Sequence, residues 1–302
     1  MFKTKEINQI QIKPVINNNN NTKNNVRAYK YYSQPYANIC LMARKNSGKS
    51  TVIYRALEEC STKGTNVFIF SPTVNMDPTY AKMIKMLKKK GCNVVANEHF
   101  IDPNGVDLIE QIIHILSKKD EEEENQDVYK PPPLLYFGHD KNYKAVDTQV
   151  GGGCTLVERP QPKKPKKEPK KGKGKKLLTP ESIFVFDDLS SEMRHKSIAK
   201  LLTKNRHYKL KTFLSCHSVN NLEKGSLSCI DTFHVFPNIS NEKIEELGEK
   251  VNITFKNDTK KNPKLQQLYD YATATPYSFL YIDRTNDTFR KNFSDKILIE
   301  SE

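Results

Sequence analysis

Residues 43–50, ARKNSGKS, follow the pattern G-x-x-x-x-G-K-[ST] with alanine at the first position. A loop of that form wraps phosphate oxygens in consecutive backbone N–H groups. Gly48 permits the tight backbone approach. Lys49 carries a positive charge to the β and γ phosphates, and the Ser50 hydroxyl is a ligand for Mg²⁺. The helix that follows adds the positive end of its dipole. Ala43, Arg44, Lys45, Asn46, Ser47, Gly48, Lys49, Ser50 and Thr51 therefore form the candidate nucleotide-binding element. Alanine at 43 requires that this position avoid a positive φ, which alanine tolerates poorly. Arg44 reads either as a γ-phosphate contact or as an ordinary solvated side chain.

A second constellation lies at 183–189, IFVFDDL. Four apolar residues followed by two carboxylates describe a buried strand that ends in acid. In open α/β folds ligands bind at that carboxyl edge. Asp187 is placed to hold Mg²⁺, and Asp188 to polarise an attacking water as general base. Two further candidates follow. FLSCHS (213–218) is a strand ending in His217, a residue type able to sense a γ-phosphate or orient water. Arg206, in NRH (205–207), is a candidate arginine finger supplied to a neighbouring subunit.

These residues need a scaffold, and the hydrophobic pattern describes one. ANICLMA (37–43) is a short apolar run, and 49–61 has helical periodicity through Val52, Ile53, Ala56 and Leu57. NVFIF (66–70) reads as a buried strand, 78–90 as a helix, Asn93–Ala96 as a short strand and 105–117 as a helix. Alternating strand and helix predict an α/β domain whose mostly parallel sheet is flanked by crossover helices. The pattern resumes at IFVF (183–186), with a helix over 192–203, strands at 211–216 and 232–236, helices over 240–249 and 262–272, and a final strand at 277–282. Residues 1–35, with their asparagine run, read as a flexible arm, and 36–302 as the main domain. Residues 118–176, acidic, then proline- and lysine-rich, read as a low-complexity insertion. Within it PLLYFG (133–138) has the makings of local pairing.

The net charge is +14 over 302 residues, with 49 Lys+Arg against 35 Asp+Glu. Such a balance favours an acidic partner, nucleic acid first. The charge is uneven. Residues 1–35 hold five Lys and one Arg against one Glu, and the tract 163–176 holds nine Lys against one Glu. That tract suits non-specific, salt-dependent phosphate contact, a solvated linker or a nuclear-targeting patch. No apolar run reaches membrane-spanning length, and the N-terminus lacks a secretory core. The six cysteines show no zinc spacing and read as reduced thiols.

The order ARKNSGKS, VFIFSPTVNMDPTY (67–80), IFVFDDL and LLTKNRHYKLKTFLSCHS (201–218) resembles the poxvirus-type genome-packaging ATPases of the FtsK–HerA superfamily, in particular those of virophages and giant-virus relatives. The resemblance covers about 36–117 and 177–240. It implies a RecA-like P-loop core, ATP and Mg²⁺ as cofactors, and a homo-oligomeric ring. It further implies movement of double-stranded DNA into a preformed capsid, with a capsid or portal-vertex partner, in a host virus factory or the virion. By it Lys49, Ser50, Asp187 and Asp188 carry over directly, while His217 stands where glutamine is commoner. A replication helicase or AAA+ protein is the alternative within the same chemistry. The chain shows no NKxD motif of a GTPase and no substrate-site or lid motifs of a small-molecule kinase, and the Asp187–Asp188 pair speaks against a non-enzymatic scaffold.

Overall fold

The computed structural model describes residues 23–124, 177–189, 192–253, 255 and 263–299. In the parallel part of the sheet five strands are fully buried, where the apolar runs lie. They are β1 (Asn38–Met42), β2 (Asn66–Phe70), β4 (Ser182–Asp187), β5 (Leu210–Cys216) and β6 (Thr232–Val235). With β3 (Asn93–Asn97), β7 (Leu280–Asp283), β8 (Thr288–Lys291) and β9 (Asp295–Ile297) they make one nine-stranded sheet, ordered β3-β2-β4-β5-β1-β6-β7-β8-β9. The pairings from β3 to β6 are parallel, and those from β6 to β9 antiparallel.

Period-two alternation divides the core into two layers. Ile39, Leu41, Val67, Ile69, Ile183 and Val185 face α1 (Lys49–Cys60) and α2 (Pro78–Lys89). Their sequence neighbours Cys40, Met42, Phe68, Phe70, Phe184 and Phe186 face the other side. There the covering helices are α3 (Leu108–Glu124), α4 (Lys196–Thr203), α5 (Lys224–Ser228), α6 (Asn241–Lys250) and α7 (Pro263–Thr273). Strands covered on both faces are largely apolar, which is why the runs of β1, β2 and β4 do not alternate with polar residues.

Several expectations need adjusting. The last strand begins at Leu280 rather than 277, because Thr275–Ser278 forms a turn. Two strands then follow that the pattern does not announce, since TFRK and DKI are short and polar. The helix expected from 192 starts at Lys196, where the His195 side chain accepts a hydrogen bond from the Ser197 N–H. Of the arm expected over 1–35, residues 1–22 lie outside the described residues. The remainder packs on the core, with Val26 bridged to Leu178 and Tyr32 1% exposed among Phe213, Tyr281 and Phe293. Of the insertion expected over 118–176, residues 118–124 instead continue α3, which runs past the helix end expected at 117, and 125–176, with the lysine tract and PLLYFG, lie outside the described residues.

Candidate active site

Because β4, β5 and β1 are adjacent and parallel, their carboxyl ends meet at one edge. The loop 43–48 leaves β1 there, Asp187 ends β4, and His217 follows β5. One strand thus separates the loop strand from the acidic strand, and its exit residue lies between them.

Ala43 is fully buried and donates its N–H to the Cys216 carbonyl at 3.0 Å, so it extends the sheet rather than turning. That position therefore does without glycine. The left-handed conformations fall at Asn46 (φ 60) and Gly48 (φ 91) instead. Gly48 is the N-cap of α1 and provides no side-chain cap, whereas α2 is capped by the Asp77 carboxylate. Within the first turn the Thr51 N–H bonds to the Gly48 carbonyl at 3.1 Å, and the N–H groups ahead of it are left for another acceptor. The Ser47 hydroxyl is buried with no hydrogen-bond partner among the described residues. An anion seated in the loop would satisfy both features.

Lys49 Nζ lies 2.6 Å from Asp187 Oδ1, with both side chains largely buried. The Tyr80 hydroxyl, on the first turn of α2, donates to Asp187 Oδ2. Burial and the Asp187 charge push the Tyr80 hydroxyl far above its ordinary range, so it stays a donor. Tyr80 reaches Asp187 because β2, which leads into α2, pairs directly with β4. Asp188 adopts φ 61, a conformation that aspartate tolerates better than most residues.

His217 joins the two halves. Its Nδ1 lies 2.8 Å from the Ala43 carbonyl, and its Nε2 lies 3.0 Å from Asp188 Oδ1. A carbonyl only accepts, so Nδ1 is the donor there. The ring therefore couples the root of the phosphate loop to the second carboxylate.

Among the residues named from sequence, the structure brings together 43–51, Asp187, Asp188 and His217. Arg44 is exposed, and its charge acts on the Tyr269 hydroxyl, which burial raises and Arg44 pulls back. Arg206 is not brought to this edge. It lies before β5, at the amino end of the strands, 3.7 Å from Asp231. The seven residues of β5 put about 20 Å between the two edges. Within its own subunit Arg206 is therefore remote from the loop. Tyr80 was not singled out from sequence. Its position in VFIFSPTVNMDPTY, after a strand and the helix-starting Asp-Pro, is the signal that was available.

Ser50 and Asp187 are hard oxygen donors of the kind Mg²⁺ takes, and the charge and amide groups of 46–50 suit a polyphosphate. Among the described residues there is no cluster of three or more His, Cys, Asp or Glu able to hold a metal on protein ligands alone.

Several solved structures are similar in fold. One is the genome packaging NTPase B204 from Sulfolobus turreted icosahedral virus 2 in complex with ATP-gammaS, at 14% identity and TM-score 0.46, covering 86% of this chain and 98% of that one. Another is B204, the DNA-packaging ATPase from Sulfolobus Turreted Icosahedral Virus, at 12% identity and TM-score 0.46, covering 85% and 97%. A third is EssC (ATPases 2 and 3) from Geobacillus thermodenitrificans, at 11% identity and TM-score 0.46, covering 85% of this chain and 39% of that one. No family model matches the chain, and no curated protein does. The site's chemistry rests on its own residues.

Proposed function

We propose that the chain is an ATPase, and that it works as a ring-forming motor that moves double-stranded DNA into a preformed viral capsid. The ATPase reading is supported by one observation above the rest. A glycine-lysine-serine loop at a helix N-terminus faces a strand-terminal Asp187–Asp188 pair, with His217 hydrogen-bonded to the root of the loop and lying 3.0 Å from Asp188. The motor reading is supported by the resemblance of the four segments that build this edge, from 43–50 to 201–218, to packaging ATPases.

The residues have distinct work in this account. Amides of 46–50 and the Lys49 ammonium bind the β and γ phosphates. Ser50 and Asp187 would hold Mg²⁺, which supplies positive charge to the phosphate oxygens. Tyr80 fixes the Asp187 carboxylate through its hydroxyl. Asp188 orients the water and takes its proton, and His217 holds Asp188 in place relative to the loop. Positioning and electrostatics carry such chemistry. Arg206, on the far edge, acts only if a neighbouring subunit's site meets that edge. The lysine tract 163–176 is the first place for non-specific DNA contact, which salt would weaken.

The test is ATP hydrolysis by the full chain with and without DNA, alongside its solution mass. Stimulation by double-stranded more than single-stranded DNA, in a ring-sized assembly, is the expected result. A monomer indifferent to DNA would overturn the motor reading. A preference for single strands would favour a helicase. No membrane partner is proposed, and no described helix is long and apolar enough to cross a bilayer.

A further inference from the structure

Tyr277 stands in an unusual place. The Ser278 N–H bonds to the Thr275 carbonyl at 3.2 Å, closing a four-residue turn with Pro276 and Tyr277 at its centre. Proline sets the second position, and Tyr277 takes the third with φ 61. Turns of this form place glycine or asparagine there, since a left-handed backbone crowds other side chains. A bulky aromatic at such an angle is an outlier that asks for a reason.

Burial is not the reason, because Tyr277 is 72% exposed. Its ring lies against the phosphate loop. A Cβ added to Gly48 would sit 3.4 Å from Tyr277 Cδ1. The turn itself is firmly seated, with Ser278 and Phe279 buried directly behind it and the Phe279 N–H bonded to Asn292 Oδ1. A rigid turn thus holds a largely bare aromatic face beside the residue that begins α1.

We propose that Tyr277 is the platform on which the base of a bound nucleotide stacks. The proposal rests on the phosphate-loop reading and extends it to the other end of the ligand. A nucleotide whose terminal phosphates lie on the amides of 46–50 carries its ribose and base past the rim of that loop. A flat ring held at Gly48 meets it there. Stacking on one ring accepts any base, since each has a π face. Tyr277 therefore adds affinity for nucleosides over bare polyphosphate and discriminates little between adenine and guanine.

Calorimetric titration of the full chain with ADP, GDP and inorganic tripolyphosphate, each with Mg²⁺, tests this in wild type, Tyr277→Gly and Tyr277→Phe. Glycine suits the left-handed turn, so Tyr277→Gly should melt no lower than wild type. It should bind ADP and GDP about tenfold more weakly, a change of about 1.4 kcal/mol, and tripolyphosphate unchanged. Tyr277→Phe should keep wild-type affinities. Unchanged ADP affinity in Tyr277→Gly would overturn the proposal and leave the phosphate loop standing. Equal losses for ADP and tripolyphosphate would also overturn it, because the ring would then be supporting the loop. If wild type bound none of the three, the phosphate-loop reading itself would fall.

Discussion

Replacing His234 by phenylalanine should stabilise the protein and flatten its acid sensitivity. His234 lies on β6, fully buried, with ring centroids of Phe279 and Tyr281 at 5.0 Å, Phe293 at 5.4 Å and Tyr32 at 5.8 Å. Neither ring nitrogen has a hydrogen-bond partner among the described residues. Burial pushes its pKa down to about 3. The unfolded chain binds that proton near pH 6.5. A base whose folded pKa is depressed takes up protons preferentially when unfolded, so stability is full above about 6.5 and falls as pH drops toward about 3. Between pH 7 and pH 5 this single group removes about 2 kcal/mol. Phenylalanine fits the same aromatic cluster and carries no proton. At pH 7 it should also remove the cost of an unpaired buried polar group, roughly 1–3 kcal/mol. Urea denaturation of both proteins at pH 7 and pH 5 reads the difference directly. The gap between His234→Phe and wild type should widen by about 2 kcal/mol on acidification. A constant gap, or a less stable variant at both pH values, would refute the reasoning.

Two other substitutions probe the site. Tyr80→Phe removes a donor to Asp187 but leaves Lys49 facing the same carboxylate, so stability should fall by roughly 1–2 kcal/mol, measured by urea denaturation. His217→Ala cuts the link from Ala43 to Asp188. Hydrolysis should slow roughly 100-fold, with ADP affinity nearly unchanged, as read by steady-state rates beside calorimetry.

Much of this edge is legible in the linear chain because its parts are local. A phosphate loop needs its glycine, lysine and serine in succession, and a doubly covered strand needs an unbroken apolar run, as in NVFIF and IFVF. What is not local is harder to read. Tyr80 meets Asp187 across 107 positions and His217 meets Ala43 across 174, both through strand order. Tyr277 reads as the first residue of the strand run YSFLYI, since nothing in the linear chain shows its left-handed angle beside Gly48. At Ala43 the backbone is bonded to Cys216 at the end of β5, and the left-handed angles of the loop fall at Asn46 and Gly48. The N-terminal tyrosines looked like part of a polar arm because two or three aromatics form no periodic pattern. Tyr32 is nevertheless a core residue, reaching Phe213 on β5 and Tyr281 on β7.

The most direct test of the central claim is Mg²⁺-dependent ATP hydrolysis by wild type, Lys49→Ala and Asp188→Asn, with ATP binding measured on the same samples. Wild type should hydrolyse ATP, Lys49→Ala should lose both binding and turnover, and Asp188→Asn should bind ATP while losing at least about 100-fold in rate. An unchanged rate in Lys49→Ala would contradict the account.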